Sequence, residues 1–491
     1  MAPFSPKDVR YFFTSKDKKA EKLHYYVRRG LIDKSRKLIK HAKPDLNVLD
    51  EGRDPCLYHA IVNGQADMVK LLIESGADVN IPAADGSPCI CYAVASGKLD
   101  IVELLAGSGA DVNIPAADGV SALHHAVING HSDIVKLMLD SGANVNVADP
   151  DDNSPLHYAC IVQNINLEII KTLLDYGVNI NAANNHGTTP LHIVAEHTGP
   201  DILKLFVNRG ANVNVQNQDG NTALHLASRN REVSDSERSK VIKFLIDSEA
   251  DVNVPNQDGN TPLHCYSTNH PIAVMLLSAG ANVNAVNNSG KTPLNLISHP
   301  VHDSIVARMP NSLTNAQRAL VSHVAMMEYC NKDTSSSGFQ QNKKNIISNP
   351  HAAQHKQECQ KELNELSKIK VNGKGILNVL IDNDSTRFAN HPTVASIFES
   401  CEKDFPIYYP FIKSSIEVGI NRRKMLQGAL KSIDDACENK DGTSTKNYWN
   451  TIPEELKTNI LKYLNTTDLS NIQQDSKKKD VNKNKSSSLG I

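Results

Sequence analysis

One residue recurs at a spacing that leaves few folds open. Asparagines in the same local setting stand at Asn47, Asn80, Asn113, Asn146, Asn181, Asn214, Asn253 and Asn284, separated by 33, 33, 33, 35, 33, 39 and 31 residues. A fixed period in the thirties is the mark of a solenoid, in which one supersecondary unit is copied and each copy buries its apolar face against the next. The clearest copy runs from Gly119 to Asn146, GVSALHHAVINGHSDIVKLMLDSGANVN.

The head of each copy explains why a helix begins there. It reads Ser121-Ala-Leu-His124, Ser154-Pro-Leu-His157, Thr189-Pro-Leu-His192, Thr222-Ala-Leu-His225 and Thr261-Pro-Leu-His264. Asp-Gly pairs at Asp85-Gly86, Asp118-Gly119, Asp219-Gly220 and Asp258-Gly259 supply a turn in which glycine tolerates positive φ. Ser or Thr then offers the side-chain oxygen that a helix N-cap uses. Pro follows at the first helical position, where its missing N–H costs nothing. A second helix completes each copy. Ile134, Val135, Leu137, Met138 and Leu139 share a face, as do Met68, Val69, Leu71, Leu72 and Ile73, with Lys136 and Lys70 left for solvent. Gly76, Gly109 and Gly142 stand just past the helix end, where a left-handed cap is favoured.

These heads resemble the T-P-L-H-x-A signature of the ankyrin repeat, whose period also agrees. The resemblance implies an all-α fold, a solenoid of about nine helix-turn-helix units with β-turn tips, presenting an extended protein-binding surface rather than a pocket. It also implies that His124, His157, His192, His225 and His264 hydrogen-bond the adjoining turn. Ligands must converge on one ion, so one histidine per repeat does not predict a metal array.

Taken in order, residues 1–19 are polar and read as a flexible N-terminus, and the solenoid is expected over 20–330. Its first copy is degenerate, as terminal repeats are, because it caps an exposed apolar face. Lys18, Lys19, Lys22, Arg28, Arg29, Lys34, Arg36, Lys37 and Lys40 read as the solvated outer face of that cap, with a nucleic-acid patch as the alternative. The copy ending at Asn253 is six residues too long, the excess falling between Arg229 and Lys240. Insertions often mark a binding face, and a longer surface loop also costs little free energy. NKDTSSSGFQQNKKNIISNP, residues 331–350, lacks periodicity and reads as a linker. Residues 351–446 carry patchy helical patterning and are expected as a small helical region. Residues 475–491 read as a disordered polar tail.

The stretch between them, 447–474, is the second informative one. Thr451 can cap a helix, Pro453 can sit early in it, and Glu454 and Glu455 favour its positive end. Ile452, Leu456, Ile460, Leu461 and Leu464 then share a face. The wording Ile452-Pro453-Glu454-Glu455-Leu456, followed by Ile460-Leu461, Leu464 and Asp468-Leu469, resembles the start of an F-box. That is the segment by which substrate receptors dock on the Skp adaptor of an SCF (Skp–cullin–F-box) ubiquitin ligase. With the ankyrin array before it, the chain resembles the poxvirus ankyrin/F-box family, whose C-terminal region is the PRANC domain. The resemblance implies that Ile452, Pro453, Leu456, Ile460, Leu461, Leu464 and Leu469 are Skp-facing or core positions of an F-box-like element. It is truncated: a full F-box continues into a further helix, whereas this chain passes into its polar tail.

The function implied is that of a non-enzymatic substrate adaptor, the ankyrin groove holding a host target protein while the C-terminal element recruits the Skp adaptor and cullin scaffold, redirecting host ubiquitination during viral infection. The alternative is an ankyrin scaffold that sequesters a host signalling factor, for example of an innate-immune NF-κB pathway, without a ligase. A bacterial or insect protein with the same domain pair is a third reading. Target contacts are expected at the turn tips, Asn184, Asn185, Gln216, Asn217, Gln218, Asn256 and Gln257, and on a first helix at Ile128 and Asn129. No Gly-rich phosphate loop or G-x-S-x-G nucleophile is present. Cys89-Ile-Cys91 lacks a second pair at zinc spacing and reads as buried structural thiols, so no catalytic, cofactor or metal residue is expected. A net charge of −2 gives the whole chain no preference for nucleic acid, and no apolar run reaches the ~18 residues of a membrane span. The N-terminus lacks a signal-peptide core, and nine irregularly spaced cysteines read as reduced thiols. A monomer in the host-cell cytoplasm or nucleus, with protein partners alone, is the expectation.

Overall fold

The computed structural model describes residues 15–161, 165–230, 232–266, 269–297 and 313–368, with short pieces at 370–371, 374–375, 377, 406–408 and 410–414. The head of each copy starts a helix by a reciprocal cap. Ser121 Oγ accepts from the His124 backbone N–H at 3.3 Å and lies 2.9 Å from His124 Nδ1. Thr189 with His192, Thr222 with His225 and Thr261 with His264 repeat the pairing, each hydroxyl 2.9 Å from the ring nitrogen. The other ring nitrogen reaches one copy on. His124 Nε2 is 3.0 Å from the Asn153 carbonyl, and His192, His225 and His264 reach the carbonyls of Asn221, Asn260 and Lys291 at 3.0, 3.0 and 3.1 Å. A carbonyl only accepts, so Nε2 carries the proton and Nδ1 is the acceptor. One buried imidazole thus caps its own helix and holds the next turn, as the resemblance implied.

The asparagines that mark the period are themselves junctions. Asn47, Asn80, Asn113 and Asn146 accept, at Oδ1, the backbone N–H of Asp78, Asp111, Asn144 and Asn179 at 2.9, 2.8, 2.8 and 2.6 Å. Asn214 and Asn253 do the same for Asp251 and Asn282, both at 2.7 Å. Asn80 and Asn113 also donate through Nδ2 to the Gly109 and Gly142 carbonyls at 3.1 Å. The residue recurs because the junction recurs.

The chain divides between Asn185 and His186 into two compact units. The first holds the helix pairs α1 (Ser15–Arg28) and α2 (Ile32–Ala42), α3 (Cys56–Val62) and α4 (Ala66–Glu74), α5 (Cys89–Ala95) and α6 (Leu99–Gly107), α7 (Ala122–Ile128) and α8 (Ser132–Asp140), and α9 (Pro155–Ile161) and α10 (Leu167–Asp175). First helices stack on first helices and second on second. Leu57, Ile61, Met68, Leu72, Ile90, Ile101 and Leu105 are fully buried between them, each such side chain stabilising the stack by roughly 1.5–3 kcal/mol. Helix α1 begins at Ser15, so residues 15–19, expected within the flexible N-terminus, are helical. Cys89 and Cys91 are buried as expected, and burial pushes both thiols up to about 12.

The second unit continues with α11 (Pro190–His197) and α12 (Pro200–Asn208), α13 (Ala223–Leu226) and α14 (Asp235–Asp247), α15 (Pro262–Cys265) and α16 (His270–Ser278), and α17 (Pro293–Ile297) and α18 (Asn315–Tyr329). A further pair then follows where a linker was expected. Residues 331–350 contain α19 (Ser337–Ser348), capped by the Ser336 hydroxyl, and α20 (Pro350–Leu366) runs on from it. Helix α19 packs on α17 and α20 on α18, the same first-on-first, second-on-second rule. The segment reads as linker because its buried face is partly polar. Phe339 and Ile346 are buried, but between them Asn342 is fully buried too, its amide donating to Asn284 Oδ1 at 3.0 Å and to the Val283 carbonyl at 3.1 Å. A paired polar group is tolerated in a core, and composition does not reveal the pairing. Asn284 closes the asparagine series on this pair, donating to Asp333 Oδ2 at 3.0 Å. Ten helix pairs are therefore present among the described residues, against about nine expected. The all-helical expectation meets one small exception, β1 (Lys370–Val371) paired antiparallel with β2 (Lys374–Gly375). Among the described residues no helix is long and apolar enough to cross a membrane.

Candidate protein-interaction surfaces

The amide residues expected to meet a target at the tips are bonded into the turn stack. Asn184 Nδ2 donates to Asn153 Oδ1 at 2.8 Å and Asn185 Nδ2 to the Pro150 carbonyl at 3.1 Å. In the second unit Asn217 Oδ1 accepts from Asp219 and Asn221 N–H within its own turn, and Asn256 does so for Asp258 and Asn260. Gln216 Nε2 donates to the Gly220 and Pro255 carbonyls at 2.9 and 3.1 Å, and Gln257 Nε2 donates to the Gln218 carbonyl. The Asn129 amide donates to the His125 carbonyl at 2.8 Å. These groups hold turns and helix ends in place, although Gln216, Gln218, Gln257 and Asn185 remain exposed.

Ile128 belongs to a different feature. Counted from each N-cap, the seventh residue of the first helices in the first unit is Val62, Ala95, Ile128 or Ile161, and the fourth is His59, Tyr92, His125 or Tyr158. The first set is exposed, Val62 by 53%, Ile128 by 37% and Ile161 by 54%, while the second is half-buried beside it. Tyr92 Oη donates to Asp85 Oδ2 at 2.5 Å and Tyr158 Oη to Asp149 Oδ2 at 2.6 Å, so the stripe runs directly into the turns. In the second unit the fourth positions of α11, α13, α15 and α17 are Ile193 and Leu226, both buried, then exposed Cys265 and half-buried Leu296, and the seventh positions described there are Glu196 and Arg229. Where the first copy meets the second, Arg28 is ion-paired with Asp50, and His59 Nε2 lies 2.7 Å from Asp50 Oδ2. Partial burial alone would raise the Asp50 carboxyl, but the Asp54 N–H, His59 and Arg28 hold it at about 2.

A second feature lies at the other end of the chain. Residues 406–408 and 410–414 pack on α18 and α20. Tyr408 is fully buried, its hydroxyl donating to the Ser322 carbonyl at 2.9 Å. The Ile407 and Tyr408 backbone N–H groups both donate to the Glu362 carboxylate, at 3.1 and 3.3 Å from Oε2. Phe411 is buried with its ring centroid 5.9 Å from that of His323. Sequence reasoning missed this anchor. The available signal was the run FPIYYPF at 405–411, dense in aromatics in a chain that is 5% aromatic. The expected Skp-facing residues, Ile452, Pro453, Leu456, Ile460, Leu461, Leu464 and Leu469, lie outside the described residues.

Comparison with known proteins agrees with this architecture. The ankyrin-repeat family matches residues 7–83, 90–184, 161–254 and 233–306, and the PRANC domain matches residues 371–474. The chain belongs to the poxvirus ankyrin-repeat/PRANC family. Among relatives of this ankyrin/PRANC protein, the fowlpox virus (strain NVSL) ankyrin repeat protein FPV222 is 27% identical over 172 residues, 34% of this chain and 22% of the relative. Fowlpox virus FPV218 is 32% identical over 130 residues, 26% of this chain and 27% of the relative, and FPV219 is 27% identical over 167 residues, 33% and 36% respectively. The matches thus span roughly a quarter to a third of those relatives' own length. Among solved structures, the crystal structure of the human ASB11 ankyrin repeat domain aligns at 27% identity with a TM-score of 0.38, over 46% of this chain and 96% of that one. Ankyrin repeats and the F-box-like PRANC domain are protein-interaction modules. Tyr408 and Phe411 fall inside the PRANC match, so part of that domain is fastened to the last two helix pairs of the second unit.

Proposed function

We propose that the chain is a substrate adaptor for an SCF ubiquitin ligase in the host-cell cytoplasm. The ankyrin stack holds a host target while the element at 447–474 docks on the Skp adaptor through Ile452, Pro453, Leu456, Ile460, Leu461, Leu464 and Leu469. Joining the two raises the effective concentration of ubiquitin-loaded enzyme near target lysines, provided the linkage lets both partners engage at once. The observation that carries this reading is the Tyr408 anchor. A PRANC region bonded into the stack through Ser322 and Glu362 restricts the linkage, where a free tether would spread the two partners over a large volume.

The test is affinity capture of the full-length chain from infected cells, with immunoblots for the Skp adaptor and cullin. Both should come down with the unaltered chain. Both should be lost with L456D/I460D/L464D and with a chain ending at Tyr448. Capture that survives those changes would refute the assignment of the docking element. A chain that holds its target with neither ligase component present would be a sequestering scaffold instead.

A further inference from the structure

The stripe on the first unit says what chemistry the stack receives, an inference that rests on the adaptor reading and deepens it. Packing does not require the stripe. On the same helices Leu57, Ile61, Ile90, Val94, Leu123 and Val127 already fill the core. Val62, Ile128 and Ile161 are aliphatic side chains left facing solvent at equivalent positions of separate copies, with the smaller Ala95 between the first two, and exposed apolar side chains repeated at one position of a stack mark an interaction surface. Its margin is acidic. Across the turns 50–54, 83–87, 116–120 and 149–153, Glu51, Asp85, Asp118, Asp151 and Asp152 are exposed; the exposed bases, Arg53 in its turn and Arg28 against Asp50, are confined to the Val62 end. The Tyr92–Asp85 and Tyr158–Asp149 hydrogen bonds fix the distance from apolar row to carboxylates at one aromatic side chain. The Tyr92 hydroxyl and the Ser87 N–H hold the Asp85 carboxyl below its ordinary value, so it is charged at neutral pH. Charged margins of one sign select partners of the other and turn like-charged ones away.

We propose that this stripe receives a segment of the target protein in which apolar side chains alternate with lysine or arginine. The apolar side chains cover Val62, Ile128 and Ile161, and the cationic ones meet Asp118, Asp151 and the other turn carboxylates. In the first two copies of the second unit the same positions hold buried Ile193 and Leu226 with Glu196 and Arg229, so the apolar row is not repeated there.

The experiment titrates the full-length chain into three labelled peptides of equal length, alternating Lys/Leu, Lys/Ser and Glu/Leu, and follows fluorescence anisotropy. The Lys/Leu peptide should bind at least about tenfold more tightly than the other two, and I128S/I161S should weaken it by about tenfold. D118N/D151N, whose first change keeps the Oδ1 acceptor for the Val120 N–H, should flatten its salt dependence. Equal binding of Glu/Leu or Lys/Ser, or a Lys/Leu affinity unmoved by both double variants, would overturn the proposal. So would sedimentation showing a concentration-dependent dimer that I161S abolishes, because a second copy would then be the occupant. Skp-adaptor capture is scored on the same proteins. If the peptide result fails while that capture persists, the stripe assignment alone falls. If the unaltered chain never captures the adaptor, the ligase reading falls and the stripe result stands by itself.

Discussion

The two units are built by one rule and finished differently. Both use Ser or Thr with His as a reciprocal cap and Asn as the junction between turns, because every copy must start a helix and hold the next. They part at the positions that rule leaves free. The first unit leaves Val62, Ile128 and Ile161 in solvent beside acidic turns, whereas the second places charge at two such positions, Glu196 and Arg229, and uses its last second-helices, α18 and α20, to seat Tyr408. Shared positions report the scaffold and diverging ones report what each unit is for. The second unit seats Ile407 and Tyr408 of the PRANC match, and the first carries the exposed stripe.

The strongest way to break this contrast is Y408A. Truncating a fully buried aromatic of this size costs about 3–5 kcal/mol, and the Ser322 carbonyl loses its donor as well. Hydrogen exchange should accelerate across α18 and α20 and stay unchanged in α3 to α10. Next comes acid. Burial lowers His24 and His124 in the first unit, and His225, His264, His323 and His355 in the second, with His323 down to about 4. A folded value below the unfolded one means the stabilisation is complete above pH ~6.5 and is lost as pH falls through the folded value. For His323 alone this amounts to something on the order of 3 kcal/mol between pH 6.5 and 4. Urea midpoints at pH 7.5, 5.5 and 4 should fall in that order, and exchange should open the second unit first.

Smaller effects sharpen the same comparison. A Cβ at Gly338 would stand 1.8 Å from the Asn284 carbonyl oxygen, so G338A must push α19 off the stack, at roughly 1–3 kcal/mol. Proteolytic cleavage should then appear within 331–366 and nowhere in the first unit. N113A removes one acceptor from Asn144 and one donor to Gly142 in an exposed turn, a loss of about 1 kcal/mol measurable as a small drop in urea midpoint. I128S/I161S should change that midpoint least, by no more than ~0.5 kcal/mol, since both residues are exposed. A large destabilisation there would show that the stripe is core rather than surface.

Much of the scaffold was legible because it repeats. The period, the capping residues and the histidine role each appear several times, and repetition separates a physical requirement from chance. Helix α19 was not legible because its burial depends on Asn342 finding partners 58 and 59 residues earlier, and a polar segment gives no outward sign of such a match. The Tyr408 anchor was hidden for the same reason, its hydroxyl partner lying 86 residues away. At the expected tips the residue types were right for exposed turns, yet the side chains of Asn184, Asn217 and Asn256 were already engaged. Ile128 stood out only when aligned with Val62 and Ile161.

The asparagine junction has a consequence for how such a chain changes length. The seams at Asn47, Asn80, Asn113, Asn146, Asn214 and Asn253 are each closed by the same side chain gripping the equivalent backbone N–H of the next copy, so one such seam matches another. Doubling or excising one 33-residue copy, such as 114–146, would leave matching edges on both sides. The stripe would gain or lose one rung while the second unit kept its grip on Tyr408. Recognition could therefore be lengthened or shortened in whole steps by recombination, with no new bond to invent.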